Sequence, residues 1–339
     1  MAHTLIIGIG AGLVSALLFG VLLKATPLAI VLYLLAPLPI LIVGLGWSRR
    51  AALAAAVTGS LALMLAVAPF LGLAFAAYIA LPAWWLAYLA QLGRDGPGGL
   101  EWYPTGRLLG WIGATAGLAF IAIAVLSSTD HAAFETQVRG LAHGLIQARD
   151  PAARAAVEAR RPATADAAPG SSVGPADPTD PDAGANEVTH GELADALARV
   201  VPAFAANGLA MLLTFYLWAA ARIVRISGRL HRPWPDIPAT AMPRATLTAL
   251  AAAAALSFAP GYAGVFGVAL VGSLCAAFAL QGLAAFHDRS RGRPGRRLML
   301  FGMYLTLFVT QGIALIALTL FGLADTALDR RRPRDGAKS

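Results

Sequence analysis

The sequence predicts an all-α protein: a polytopic transmembrane helical bundle of about nine spans (eight to ten) with an amphipathic and partly disordered extramembranous insert. Three observations carry this. Of 339 residues, 58% are apolar and only 13% charged, about half the charge of a typical soluble domain. Apolar runs of about 18 residues or more recur along the chain, each long enough to cross a bilayer. One long polar stretch, from about Ser127 to Ala198, interrupts them. The chain therefore reads as an N-terminal membrane half at 1–127, an insert at 128–200, a C-terminal membrane half at 201–325 and a basic tail at 326–339.

The first apolar block runs from Thr4 to Leu23 and carries no cationic leader region or small-residue cleavage site, so it is expected to be a retained helix. Gly8, Gly12 and Ala16 recur every four residues on one face. Small residues at that spacing let another helix approach closely, from within the chain or from a partner. The second block, Pro27 to Trp47, contains Pro37 and Pro39. Each proline removes a backbone donor and clashes with the preceding turn, so a helix break is expected there. A break at membrane depth needs protein or a cavity to satisfy the freed carbonyls. It is either a packed kink or the lining of a substrate site. Ala51 to Leu92 is twice the length of one span and is expected to turn near Pro69. Its second half holds Pro82, Trp84 and Trp85, the tryptophans serving at the interface or in packing. Gly93 to Arg107 is a Gly-rich loop without the features of a phosphate-binding loop. Leu108 to Leu126 is the fifth span, with Gly113 and Gly117 again four apart.

Within the insert, Phe134, Val138, Leu141 and Leu145 form an amphipathic stripe, and Leu193, Leu197, Val200 and Phe204 form another. Thr189 and Glu192 have capping-box spacing, which would open the second helix. Between them, Pro162 to Glu187 is rich in proline and acid, lacks Lys and Arg, and has one large aliphatic residue, Val173. Such a segment cannot bury enough apolar surface to offset its ordering entropy, so 162–187 is predicted to be a disordered linker. The remaining spans are read as Val201–Val224, Ala245–Pro260, Tyr262–Phe286 and Leu298–Gly322.

The net charge of +8 comes mostly from arginines in short loops. That placement points to membrane topology, not to nucleic acid. Nine alternating spans put the loops at Arg49, Arg94, Arg225 and Arg291 on one side, with 14 basic residues, and that side is assigned to the cytoplasm. The tail then conflicts, because its five basic residues would fall outside.

Little chemistry is legible. No acidic or basic residue falls deep in the expected spans, which argues against a proton relay or ion path. The six histidines sit in loops or at span ends, and no H-E-x-x-H pattern or nucleophile elbow occurs. Cys275 is the only cysteine. No catalytic, cofactor-binding or metal-ligating residues are expected. The polar residues left in the spans are Thr58, Ser60, Asn207, Thr214, Gln281 and Gln311. They serve either interhelical hydrogen bonds or a neutral binding cavity.

Several stretches together resemble the YybS-like family of uncharacterised bacterial membrane proteins. They are Pro37-Leu38-Pro39 with Gly46 and Arg49-Arg50; Leu81-Pro82 with Tyr88 and Leu89; the Pro/Trp loop from Arg232 to Pro243; Gln281-Gly282-Leu283; and Gly322-Leu323-Ala324-Asp325 with Asp329-Arg330. The N-terminal half is also similar to the substrate-binding S components of energy-coupling-factor transporters. That resemblance implies docking of a membrane coupling subunit through a small-residue face on the first helix, here Gly8, Gly12 and Ala16. No vitamin-binding signature is present. The expectation is a multi-pass protein of the bacterial inner membrane, non-enzymatic, with small-solute binding or a transport-related role. The alternative is a structural or assembly protein acting through partner contacts. Its expected partners are the lipid bilayer and a coupling subunit or other membrane protein.

Overall fold

The computed structural model describes residues 2–96, 99–149, 181–310 and 312–329. The chain divides into two units, one from Met1–Ser127 with Ala203–Ser339 and the other from Ser128–Pro202.

In the first unit, α1 (Ala2–Gly20) ends in a 3-10 turn at Val21–Lys24. Helices α2 (Pro27–Leu34) and α3 (Pro37–Gly46) form the second apolar stretch. The Thr26 side chain caps α2 by accepting from the Ala29 amide, with Pro27 at the first helical position. Ser48 caps α4 (Arg49–Ala66) in the same way, accepting from Ala51. The expected turn at Pro69 separates α4 from α5 (Pro69–Phe75), which continues through a π-helical turn at Ala76–Ala80 into α6 (Leu81–Ala90). The π register lies just ahead of Pro82, which cannot donate to the helical ladder. A hairpin of β1 (Gly93–Gly96) and β2 (Gly99–Trp102) occupies the Gly-rich loop and leads to α7 (Thr105–Ser127). After the insert come the rest of α9 (Pro181–Ile226), then α10 (Ala245–Leu256), α11 (Gly261–Arg289), α12 (Arg296–Thr310) and α13 (Gly312–Leu328).

Burial in this unit is inverted relative to a soluble core. Ala29, Ala36, Ala51, Ala52, Ala55, Ala83, Ala116 and Ala276 are fully buried, while Leu65 is 84%, Phe308 81% and Phe258 90% exposed. Water would penalise so much large apolar surface, whereas lipid does not, and small residues let helices pack at close range. Seven helical stretches are long and apolar enough to cross a membrane: His3–Lys24, Pro27–Gly46, Arg49–Ala66, Pro69–Ala90, Thr105–Ser127, Glu192–Ile226 and Gly261–Arg289. Together these features mark a multi-pass membrane protein.

The C-terminal spans differ from the sequence reading. The expected seventh span, Ala245–Pro260, is a helix of only 12 residues, about 18 Å long. The expected ninth, Leu298–Gly322, is divided between α12 and α13. Thr319 donates to the Cys275 carbonyl (3.3 Å), and Gln281 Nε2 donates to Asp325 (2.8 Å), so α11 and α13 run parallel. One straight helix returning from the loop after Arg289 could not bring Asp325 back to Arg289, yet those side chains meet at 3.1 Å. The chain therefore goes out through α12 and comes back through α13.

A chain of contacts gathers five connections at one end of this unit. Gln91 donates to the Gly44 carbonyl. Arg232 donates to the carbonyls of Ala90 (3.2 Å) and Tyr103 (2.8 Å). Asp236 pairs with Arg291, and Arg244 lies 3.9 Å from Asp329. Among the described residues, this end carries nearly all the unit's arginines. At the opposite end, the connections 21–26, 67–68 and 257–260 contain one basic residue, Lys24.

In the second unit, α8 (His131–Arg149) and the first part of α9 bury Phe134, Val138, Ala142 and Ala194. Arg139 pairs with Asp195 at 2.9 Å. Phe134 and Val138 of the first expected stripe are buried, whereas Leu141 and, in the second, Leu193, Val200 and Phe204 are exposed, the inward positions beside them being taken by Ala142 and Ala194. Helix α9 begins at Pro181, inside the stretch expected to be a disordered linker, and Thr189 is a helical residue and not a cap. The remainder of that stretch, 162–180, lies outside the described residues.

Candidate functional site

Helices α9 and α11 touch where Asn207 Nδ2 donates to the Gly272 carbonyl (3.0 Å). A Cβ on Gly272 would stand 2.1 Å from the Ala203 carbonyl oxygen, so only glycine permits that approach. Toward the basic end, side chains from both helices form walls of one cavity of about 600 Å³. Met211, Thr214, Phe215, Trp218 and Ala221 come from α9, and Leu280, Leu283, Ala284 and His287 from α11. Leu108, Leu109 and Ile112 of α7 complete the apolar wall, and Tyr304 of α12 stands at its edge. This volume lies within the range of small-molecule sites.

The segment 229–244 closes the cavity's end like a strap. Gly228, at φ 68°, ends α9 in the left-handed conformation that glycine takes without strain. Arg232 then ties the strap to α6 and to the residue after β2 through the two carbonyl contacts given above. Thr240 Oγ1 lies 3.2 Å from Thr105 Oγ1, and the Ala241 carbonyl sits so close to Gly106 that a Cβ there would be 1.8 Å away. The far side is held by the two-pronged pair of Arg291 with Asp236. The Arg291 guanidinium, hydrogen-bonded to the Asp236 carboxyl, holds it below its ordinary carboxylate value. Burial pulls the Arg232 guanidinium below its ordinary value, but arginine starts so high that it stays cationic.

The charge around the cavity mouth is one-sided. Arg225 lies 4.8 Å and Arg222 5.9 Å from the Trp234 ring, and Arg229 lies 4.6 Å from the Trp47 ring. Among the described residues, none of Arg222, Arg225, Arg229 and Arg232 has a carboxylate within 4.0 Å. A second, polar niche of about 380 Å³ adjoins the cavity and shares Leu230 and His231 with it. Gly46, Trp47, Gly228 and Arg229 form its other walls. No group of three or more metal-ligating side chains occurs among the described residues.

The residues singled out in the sequence lie elsewhere. Gly8 and Gly12 face α4: Cβ atoms there would stand 2.4 Å from the Ala51 carbonyl oxygen and 2.3 Å from that of Ala55. Ala16 is buried in the same core. The face is therefore filled from within the chain. At the Pro37/Pro39 break, the two carbonyls that the prolines cannot reach, those of Tyr33 and Leu35, find protein partners. The Tyr33 carbonyl accepts from Ala36 N, the Leu35 carbonyl from Leu38 N, and the Ala36 carbonyl from the buried Ser15 hydroxyl at 2.5 Å. Pro37 is itself fully buried, so this is a packed kink. Of the polar span residues, Asn207 and Gln281 bond across helices, Ser60 and Thr214 bond within their own, and only Thr214 lines the cavity. Gln311 lies outside the described residues.

A buried carboxylate lies in the last turns of α13. Asp325, assigned from the sequence to the end of the membrane half, is inside α13 and only 5% exposed. It meets Arg289 and Gln281 Nε2, while Gln281 Oε1 is buried without a hydrogen-bond partner. The 3.6-residue spacing of Gly322, Asp325 and Thr326 on one face was the available signal. It is readable only once α13 is recognised as a helix packed on α11. The strap residues were readable as a Pro/Trp loop, but not as one wall of a site.

No family model, curated protein or solved structure matches this chain.

Proposed function

We propose that this is a non-enzymatic multi-pass membrane protein that binds a small apolar or amphipathic solute in the cavity between α7, α9 and α11, in a transport-related role. The observation that carries this reading is the cavity: apolar walls, a few polar groups at one end, and a volume suited to one small molecule. The proposed setting is a bacterial inner membrane, with ten membrane segments. Counting α10, α12 and α13 as short segments gives an even number, in keeping with Asp329 lying beside Arg244 at the basic end, and would remove the topological conflict left by nine. That end faces the cytoplasm by the positive-inside rule. Kinship with the YybS-like proteins and with S components is likewise proposed, on the sequence stretches given above. Docking of a coupling subunit through Gly8, Gly12 and Ala16 is not part of the proposal, because α4 occupies that face.

Native mass spectrometry of the protein released from mild detergent tests the reading. A retained small molecule is expected, lost in Ala221→Trp, which fills the cavity from α9. A protein that carries no small molecule but retains a partner subunit would favour a structural or assembly role instead.

A further inference from the structure

The two adjoining compartments differ in chemistry, and their junction says what kind of molecule would use both. The larger is walled by Leu108, Leu109, Ile112, Leu280 and Leu283, which offer no hydrogen bonds to a polar solute. The smaller is built from Arg229, the backbone around Gly46 and Gly228, and one edge of Trp47. His231 stands between them. Four arginines around the mouth have no carboxylate partner among the described residues, so the positive potential there is uncompensated. A neutral apolar solute would leave that potential unused. A small anion alone would leave the apolar compartment empty.

We infer that the ligand is an anionic amphiphile whose apolar chain occupies the cavity and whose phosphate- or carboxylate-type head sits in the niche at Arg229 and His231. This rests on the solute-binding reading above and narrows it. The route of entry points to the surrounding leaflet as the source. Phe215 and Trp218, at the cavity's edge on α9, are 55% and 46% exposed on a membrane-spanning helix. α12, which brings Tyr304 to the opposite edge, has no buried residue of its own. Arginine suits the head because its planar donors match two oxygens of a phosphate or carboxylate at once. Basic residues at a membrane surface attract any anionic lipid. The cavity adds a compartment for the chain, so binding here should need both parts of one molecule.

The test is a titration of the full-length protein in a nonionic detergent with dodecyl phosphate, dodecylphosphocholine and inorganic phosphate, read as dissociation constant and as shift in melting temperature. Dodecyl phosphate is expected to bind at least tenfold more tightly than dodecylphosphocholine, and inorganic phosphate to give no shift. Arg229→Gln is expected to remove the preference for the anionic head while keeping chain binding. Ala221→Trp is expected to remove both. Arg232 is left intact because it ties the strap to two carbonyls. Equal binding of the two amphiphiles, abolished by Ala221→Trp, would overturn the anionic-head inference and leave the solute site standing. Inorganic phosphate binding as well as dodecyl phosphate would overturn the two-compartment inference. Binding of none of them, or tight binding untouched by Ala221→Trp, would overturn both this inference and the solute site.

Discussion

Gly12 and Ser15 sit three residues apart on α1 and do opposite kinds of work. Gly12 lets the backbone of α4 approach until there is no room for a Cβ. Ser15 donates its hydroxyl to the Ala36 carbonyl at the kink before Pro37. Gly12→Leu is therefore expected to destabilise the isolated protein by at least the ~1–3 kcal/mol usual for overpacking, read as a lower melting temperature in detergent. An unchanged melting temperature would mean that α1 does not pack on α4 this closely. Ser15→Ala should cost less, about 0.5–1.5 kcal/mol, the net value of one hydrogen bond. The Asp325–Arg289 pair is asymmetric: the Asp325 side chain is 2% exposed and that of Arg289 34%. Removing the arginine takes a cation from a buried carboxylate, whereas removing the carboxylate leaves a cation that can still reach water. Arg289→Ala should thus lower the melting temperature more than Asp325→Asn, and the reverse order would contradict the burial described for α13.

At the scale of elements, the strap is the part that builds the site. It joins α6, β2, α7 and α11 through contacts that are far apart in sequence, and its outer tether is a surface ion pair. The Asp236 carboxyl is held below its ordinary value of 3.8 in the folded protein by its hydrogen bonds to Arg291. Its contribution is therefore present above that ordinary value and is lost as pH falls through the lowered folded value. Both partners are about half exposed, so screening keeps the effect small. Asp236→Asn should melt slightly below the unaltered protein at pH 7, with the gap closing on acidification. A gap that persists or widens in acid would mean that the carboxylate tether is not its source.

For the whole molecule, the parallel course of α11 and α13 decides where the chain ends. In a background of Cys275→Ala, cysteines at Ser227, Arg293 and Asp329 should all need permeabilised cells for labelling by an impermeant reagent. A cysteine at Ala259 should react in intact cells. Labelling of the Asp329 position from outside would restore nine crossings and contradict the α12–α13 return. The same arrangement leaves the cavity at the basic end of the unit, next to Arg229 and Arg232.

The membrane character, the helical class, the first five apolar stretches, the turn at Pro69 and the kink at Pro37 were legible in the amino-acid order. Each depends on local chemistry: apolar run length, a missing proline donor, a small-residue repeat. The division of Leu298–Gly322 was not legible, because no proline or charge marks the return near Thr310 and the sequence is apolar on both sides of it. Whether Gly8, Gly12 and Ala16 faced a partner or the chain itself was equally undetermined, since a small-residue face serves either equally well. Only the tertiary structure decided that α4 fills it. The cavity belongs to the same category. Its walls come from α7, α9, α11 and the strap, and the helical part is largely apolar side chains that look like any lipid-facing span in sequence. They form a site because α9 and α11 touch at Asn207 and Gly272 and line opposite walls beyond that contact, a relation between helices more than sixty residues apart.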